Sequence, residues 1–407
     1  DYLEKLMPAH QNSTPILELY AGKLSDFSHD DSQDALRQLL EKEPNNLWGM
    51  RELALQYENS GEVEKAIDLA EMSVEKQPNA CQSYGVLGGI YARNNRLNDA
   101  IEQFKKAILL EADYTYAVKE WLSYLEDDVD KLEVLSFYKQ QLDVQPVDGG
   151  SINEYRELAY RYIEPDELLA QMQAFRKKRN NEWAAWTAEK DQLLDMSREE
   201  DAAKLMTAAE EKFPFIPRIY VEKASVYRAM GDVAQTIASL EKTLELSPSW
   251  DWVARQLADA YEYQGEVVKA EAVLREAVRW APLNPANIGC LADLLDRVDK
   301  KDEAFDSLAE ALKKSPMYVW GWREISGWSM RENRQAEVLG LLEHHHKTHG
   351  DSKGWWDVCF DVYDILDEHE KALAYCEACL EKDPKYIEMH DSKAYLLARL
   401  KRFDEAI

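Results

Sequence analysis

Two cysteines, Cys376 and Cys379, stand in a C-x-x-C spacing, and four histidines crowd into HHHKTH at 344–349. A C-x-x-C pair does redox or metal chemistry when its thiols are exposed as thiolates, as they are near a helix N-terminus. On a helix, only His345 with His349 and His346 with His349 have the spacing to share one metal ion. Two imidazoles hold a metal weakly, so a capping role is expected for the histidines and no metal site. The basic run RKKR at 176–179 suits the C-terminal end of a helix, where cations complement the dipole, with docking as the other reading. The acidic run EDDVD at 126–130 lacks the glycine and terminal glutamate of a calcium loop and reads as a solvated turn. No glycine-rich phosphate loop, G-x-S-x-G elbow or H-E-x-x-H occurs. The expectation is a non-enzyme without a cofactor.

Composition narrows the partners. Lys and Arg number 49 against 77 Asp and Glu, a net charge of −28 over 407 residues. Such a polyanion is repelled by phosphate backbones and anionic headgroups, which argues against nucleic acid and membrane surfaces. No run of 18 apolar residues is present. Five cysteines, an odd number without a small-domain disulfide spacing, favour a reducing compartment such as the cytoplasm. The opening DYLEKLMPAH has no signal-peptide pattern.

What positions these residues is a repeat. Prolines stand at 44, 78, 146, 214, 248, 282, 316 and 384, every interval being 34 residues or a multiple of it. Small and apolar residues keep the same frame: Leu53, Ala54, Tyr57, Ala66 and Ala70 before Pro78, then Leu257, Ala258, Tyr261, Ala270 and Leu274 before Pro282. Spacings of three and four predict two amphipathic helices per unit, A and B. A break at frame position 15, held by Gly61, Gly231 and Gly265, separates them. Small residues at positions 8 and 20 let A and B approach, and the proline at position 32 ends B.

This frame resembles the tetratricopeptide repeat, with about twelve repeats starting near 13, 47, 81 and so on to 387. The resemblance implies an all-α, right-handed solenoid whose helices A line a concave groove, a scaffold that binds a protein or peptide without catalysis. Residues 1–46 are expected to hold an N-terminal cap and a divergent first repeat, and 47–386 ten tandem repeats. Repeat five, 149–182, departs from the pattern: Gly149 and Gly150 open it, and Pro165 is expected to start a late helix B. Residues 387–407 form a partial repeat ending inside helix B, so the chain is expected to continue past Ile407. The W-x-x-R units are also similar to the α-subunit repeats of protein prenyltransferases. This gives a second reading: a non-catalytic subunit or domain assisting an enzyme on another chain or in a missing region.

In the tetratricopeptide family the groove is built from positions 2, 5, 9, 12 and 13 of helix A. Those positions carry fifteen acids against eleven bases here, and the excess lies in the last two repeats, with Asp357, Asp361, Asp364 and Asp391 among it. A basic ligand segment is therefore expected at the C-terminal end. No asparagine stands at position 9, which disfavours the two-carboxylate clamp of chaperone-binding members. Positions 2 and 5 pair an aromatic with a cation in alternate repeats: Trp48 with Arg51, Tyr116 with Lys119, Trp252 with Arg255, and Trp320 with Arg323. Residues three apart share a helix face, so each cation is expected over its ring. The pairs read either as clips between repeats or as platforms for an extended ligand. In this frame Cys376 and Cys379 occupy positions 24 and 27 and Cys359 position 7, all core positions, so packing rather than chemistry is expected of them.

Overall fold

The computed structural model describes residues 13–24, 29–147, 150–350 and 352–405. The described elements are helices, and they fall into two units that divide after Phe213. The first unit contains α1 (Thr14–Leu24), α2 (His29–Lys42), α3 (Leu47–Asn59), α4 (Val63–Lys76), α5 (Cys81–Arg93), α6 (Leu97–Leu110), α7 (Thr115–Ser123), α8 (Asp128–Val144), α9 (Gly150–Ala159), α10 (Pro165–Lys178), α11 (Trp183–Asp195) and α12 (Glu199–Lys212). The second contains α13 (Pro217–Ala229), α14 (Val233–Leu246), α15 (Asp251–Tyr263), α16 (Val267–Trp280), α17 (Pro285–Arg297), α18 (Lys301–Lys314), α19 (Val319–Glu332), α20 (Gln335–His349), α21 (Lys353–Ile365), α22 (His369–Lys382) and α23 (Ile387–Arg399), followed by a short 3-10 turn, Phe403–Glu405.

Within each unit, consecutive helices pack on one another as A on B and B on the next A. The small-residue rule of the frame explains how. Ala54, Ala258 and Ala292 at position 8, and Ala66, Ala100, Ala202, Ala270 and Ala304 at position 20, are at most 1% exposed, so the backbones meet closely there. The turn between A and B places position 15 in the left-handed region in nine repeats. Glycine supplies it at 61, 231 and 265; Asn95, Ser197, Asp299, Asn333, Asp367 and Lys401 do so elsewhere.

Repeats four and five break the rule, and not as the sequence suggests. The late helix B falls in neither: α10 starts at Pro165, the same frame position as α4 or α16, with the proline in the first turn where its missing N–H costs nothing. The irregular one is α8, which starts three positions early, at Asp128. The EDDVD run is solvent-exposed as expected, but only Glu126 and Asp127 form the turn, and the rest opens α8. Asp127 accepts from the Val129 N–H at 2.7 Å as the N-cap, and Asp128 and Asp130 lie in the first turn, where acids complement the dipole.

A second device joins successive repeats. At frame position 4, an aromatic or histidine side chain donates to the carbonyl of frame position 32 six residues earlier. The bonds are Tyr84 Oη to Pro78 (3.1 Å), Trp186 Nε1 to Asn180 (3.1 Å), Tyr220 Oη to Pro214 (3.0 Å), Trp322 Nε1 to Pro316 (2.7 Å), Trp356 Nε1 to Gly350 (2.8 Å) and His390 Nε2 to Pro384 (2.9 Å). The carbonyls after helix B have no partner within the helix, so each bond satisfies one and fixes the entry of the next helix A. Trp186 is therefore in register with this staple.

Candidate functional site

The four aromatic-cation pairs do not fold onto themselves. Three of the cations reach forward to the next helix A instead, Arg255 also pairing within its own helix. Lys119 pairs with Glu154 at 2.9 Å, Arg255 donates to Asn287 Oδ1 at 2.5 Å and pairs with Asp251 at 3.2 Å, and Arg323 pairs with Asp361 at 2.6 Å. Arg51 is half-buried, which pushes its guanidinium below the ordinary value. The rings pack backward. Trp48 lies against Gly22, Tyr116 beside Gly89, and Trp320 over Gly289 together with Tyr318, the two rings 5.7 Å apart. A methyl group on Gly289 would run into both rings, so that glycine is what lets them lie down. Trp252 has no such bed and is 43% exposed. Trp320 is 38% exposed but packs on Gly289 and Tyr318, so Trp320→Ala is expected to lower stability by about 1–2 kcal/mol in urea unfolding. Trp252→Ala should stay within about 0.5 kcal/mol; equal losses for both would contradict this division.

A ladder of ion pairs neutralises much of the remaining charge on this face. The acid at position 12 of one helix A meets the arginine at position 13 of the next: Glu58 with Arg93 at 2.6 Å, Glu262 with Arg297, and Asp296 with Arg331 at 2.8 Å. Between α13 and α15 the rung is replaced: Arg228 stands at the acid's place and Tyr263 at the arginine's. A cleft of about 440 Å³ opens there, lined by Arg228, Gln256, Asp259 and Tyr263 among others. Burial and the neighbouring Glu262 raise the Asp259 carboxyl, with Arg228 opposing.

The acids of α21 and α23 are balanced less completely. Asp361 has Arg323, and Asp364 lies 3.3 Å from His369 Nδ1. Asp357 instead accepts from the neutral Tyr386 hydroxyl at 3.0 Å. Burial pushes its carboxyl above the ordinary range, the tyrosine pulls it down, and Asp361 and Glu388 add to the rise. Glu388 and Asp391 are exposed. Asp357, Glu388 and Asp391 have no cation in an ion pair among the described residues.

The residues that first suggested chemistry are interior ones. Cys359, Cys376 and Cys379 are at most 3% exposed, and burial pushes Cys359 and Cys376 up to about 12 and Cys379 up to about 11. The thiols are protonated at neutral pH and do not present thiolates. Among the described residues no group of three His, Cys, Asp or Glu could hold a metal ion, and no helix is long and apolar enough to cross a membrane. The RKKR run fastens the first unit. Arg176 pairs with Glu189, Lys178 bonds the Asp143 carbonyl at 2.5 Å, and Arg179 bonds the Leu142 and Gln145 carbonyls at 2.6 and 2.5 Å. The run thus caps the C-terminus of α8 rather than only its own helix.

The tetratricopeptide repeat family profile matches residues 82–114 and 217–249, one 33-residue segment in each half of the chain. The helix pairs on either side keep the same frame. Both matched segments are tetratricopeptide repeats. No curated protein matches it. Among solved structures it is similar to the Cut9–Hcn1 hetero-tetramer of APC/C at 10% identity and a TM-score of 0.32, with 97% of this chain and 98% of that chain covered. Yeast Tom70 is similar at 11% identity and a TM-score of 0.38, with 96% of each chain covered. MamA is similar at 13% identity and a TM-score of 0.34, with 45% of this chain and 96% of that chain covered. An array of tetratricopeptide repeats is a protein-interaction scaffold, and its repeats are typically non-catalytic.

Proposed function

We propose that the helix-A face of residues 214–407 holds an extended segment of a partner protein, whose basic residues lie over α21 and α23. The observation that carries this reading is Asp357, a half-buried carboxylate that accepts a neutral hydroxyl while Asp361 and Glu388 crowd it. A lysine or arginine arriving there relieves like-charge repulsion and supplies the ion pair that the array lacks. Trp252, exposed and without a bed, and the cleft beside Tyr263 would receive apolar side chains further along.

Fluorescence anisotropy with a labelled Lys/Arg-rich peptide and with a Glu/Asp-rich control tests the reading. The basic peptide should bind and weaken with salt. Asp357→Asn combined with Asp391→Asn should weaken it about tenfold, two contacts of about 0.7 kcal/mol each. Equal binding of the acidic control, or an unchanged affinity in the double variant, would refute it.

A further inference from the structure

Frame position 27 is a small core position: Ala107, Ala209, Ala277 and Ala311 occupy it, each at most 3% exposed. On α20 the residue there is His345, only 7% exposed. Its ring meets two fully buried indoles in T-shaped contacts, Trp322 on α19 at 6.3 Å and Trp355 on α21 at 6.0 Å, and those indoles meet each other at 5.8 Å. The Nε2 of His345 has no hydrogen-bond partner. His344 and His349 lie against it at 5.1 and 6.2 Å, and His349 also touches Trp355. On the other flank, Trp355 Nε1 donates to His346 Nδ1 at 3.3 Å, and His346 meets Tyr375 of α22 at 5.7 Å. Beside α20 runs a furrow of about 730 Å³ that includes Phe305, Ile325, Val338, Leu341 and His344 in its lining. Helix α20 is thus held on its neighbours through imidazole–indole contacts, with open space on one side.

We propose that His345 is an acid-sensitive latch: protonating its imidazole releases α20 from the indoles of α19 and α21. No ion pair to His345 is present among the described residues, and burial and two neighbouring histidines oppose its charged form. On its own helix stand His344 and His349, which oppose a charge on His345. From α19 and α21 come indoles, from α22 the Tyr375 ring one residue along, and Asp306, Glu310 and Lys313 of α18 share the furrow with His344 rather than touching His345. Burial, then His344 and His349, hold the His345 pKa below its ordinary 6.5. The sign follows: a base with a lowered pKa in the closed state keeps the latch fully intact above the ordinary value. The closed state then loses up to tenfold in population per pH unit as pH falls from there to the depressed value.

Hydrogen exchange of the full chain, read by mass spectrometry between pH 7.5 and 5 and corrected for the intrinsic rate, tests this. Peptides from 335–349 should lose protection below about pH 6.5 while those from α15 and α16 keep theirs. His345→Leu should retain protection at pH 5.5. His344→Ala with His349→Ala removes both like charges and should move the midpoint upward; should His345→Leu fail to fold, this pair decides. Protection of α20 that ignores pH, falls in step with the rest of the chain, persists in its acid loss in His345→Leu, or keeps its midpoint in the double variant overturns the proposal.

Discussion

Replacing Trp322 by alanine should destabilise residues 214–407 by about 3–5 kcal/mol, the cost of deleting a fully buried indole in a core that closes only partly. Three links are cut at once. The ring fills the space between α19 and the two helices that follow, meeting Trp355 edge-on at 5.8 Å and His345 at 6.3 Å. Its Nε1 staples the Pro316 carbonyl at 2.7 Å. Repeats transmit stability only to their neighbours, so the loss should concentrate in repeats nine to eleven. Trp322→Phe keeps much of the apolar area but forfeits the staple, about 1 kcal/mol of its smaller cost. Urea unfolding followed by circular dichroism measures both. A Trp322→Ala protein within about 1 kcal/mol of the parent would mean that the indole cluster does not hold these repeats together.

How far the sequence announced this architecture depends on whether a feature repeats visibly at 34 residues. The helix starts at 47, 81, 115, 183, 217, 251, 285, 319, 353 and 387 coincide with the predicted unit starts, because the unbroken 34-residue spacing carries the frame across 115, 183 and 353, where Ala112, Asn180 and Gly350 replace the proline. The turn was legible only where it is glycine; Asn95, Asp299 and Lys401 reach the same left-handed conformation without its signature. The early start of α8 was missed because EDDVD was weighed as a calcium loop and not as an N-cap followed by a dipole-favoured first turn. The staple at position 4 does recur in frame, as Tyr84, Trp186, Tyr220, Trp322, Trp356 and His390, but in chemically mixed residues. The donated bond unites them, not the residue type.

Charge was legible as a count and not as a geometry. Glu58 with Arg93, Glu262 with Arg297 and Asp296 with Arg331 are each 35 residues apart, the spacing that joins position 12 to position 13 of the next unit. Counting them as separate groove charges hid the fact that they cancel. That cancellation is why Asp357, at position 5 and outside these rungs, stands out only in three dimensions. The division after Phe213 left no mark at all, since Pro214 is one frame proline among eight.

Arg176→Ala should cost residues 1–213 about 3–5 kcal/mol, although it removes a side chain from a run that reads as a surface docking patch. Its partner explains the size. Glu189 on α11 is 4% exposed, and the Arg176 guanidinium supplies its ion pair while lying 4.9 Å from the centre of the Trp186 ring. Removing the cation leaves a carboxylate in the interior without compensation, and desolvation dominates what the pair itself contributed. The double change Arg176→Met with Glu189→Leu removes both charges and keeps the volume, so it should recover most of the loss. Lys177, exposed and next in the run, is the control: Lys177→Ala should stay within about 0.5 kcal/mol. Denaturant unfolding of the parent and these three variants gives opposite outcomes for the two readings. A docking patch predicts four similar stabilities; a buried ion pair predicts one low value, rescued by taking away the second charge.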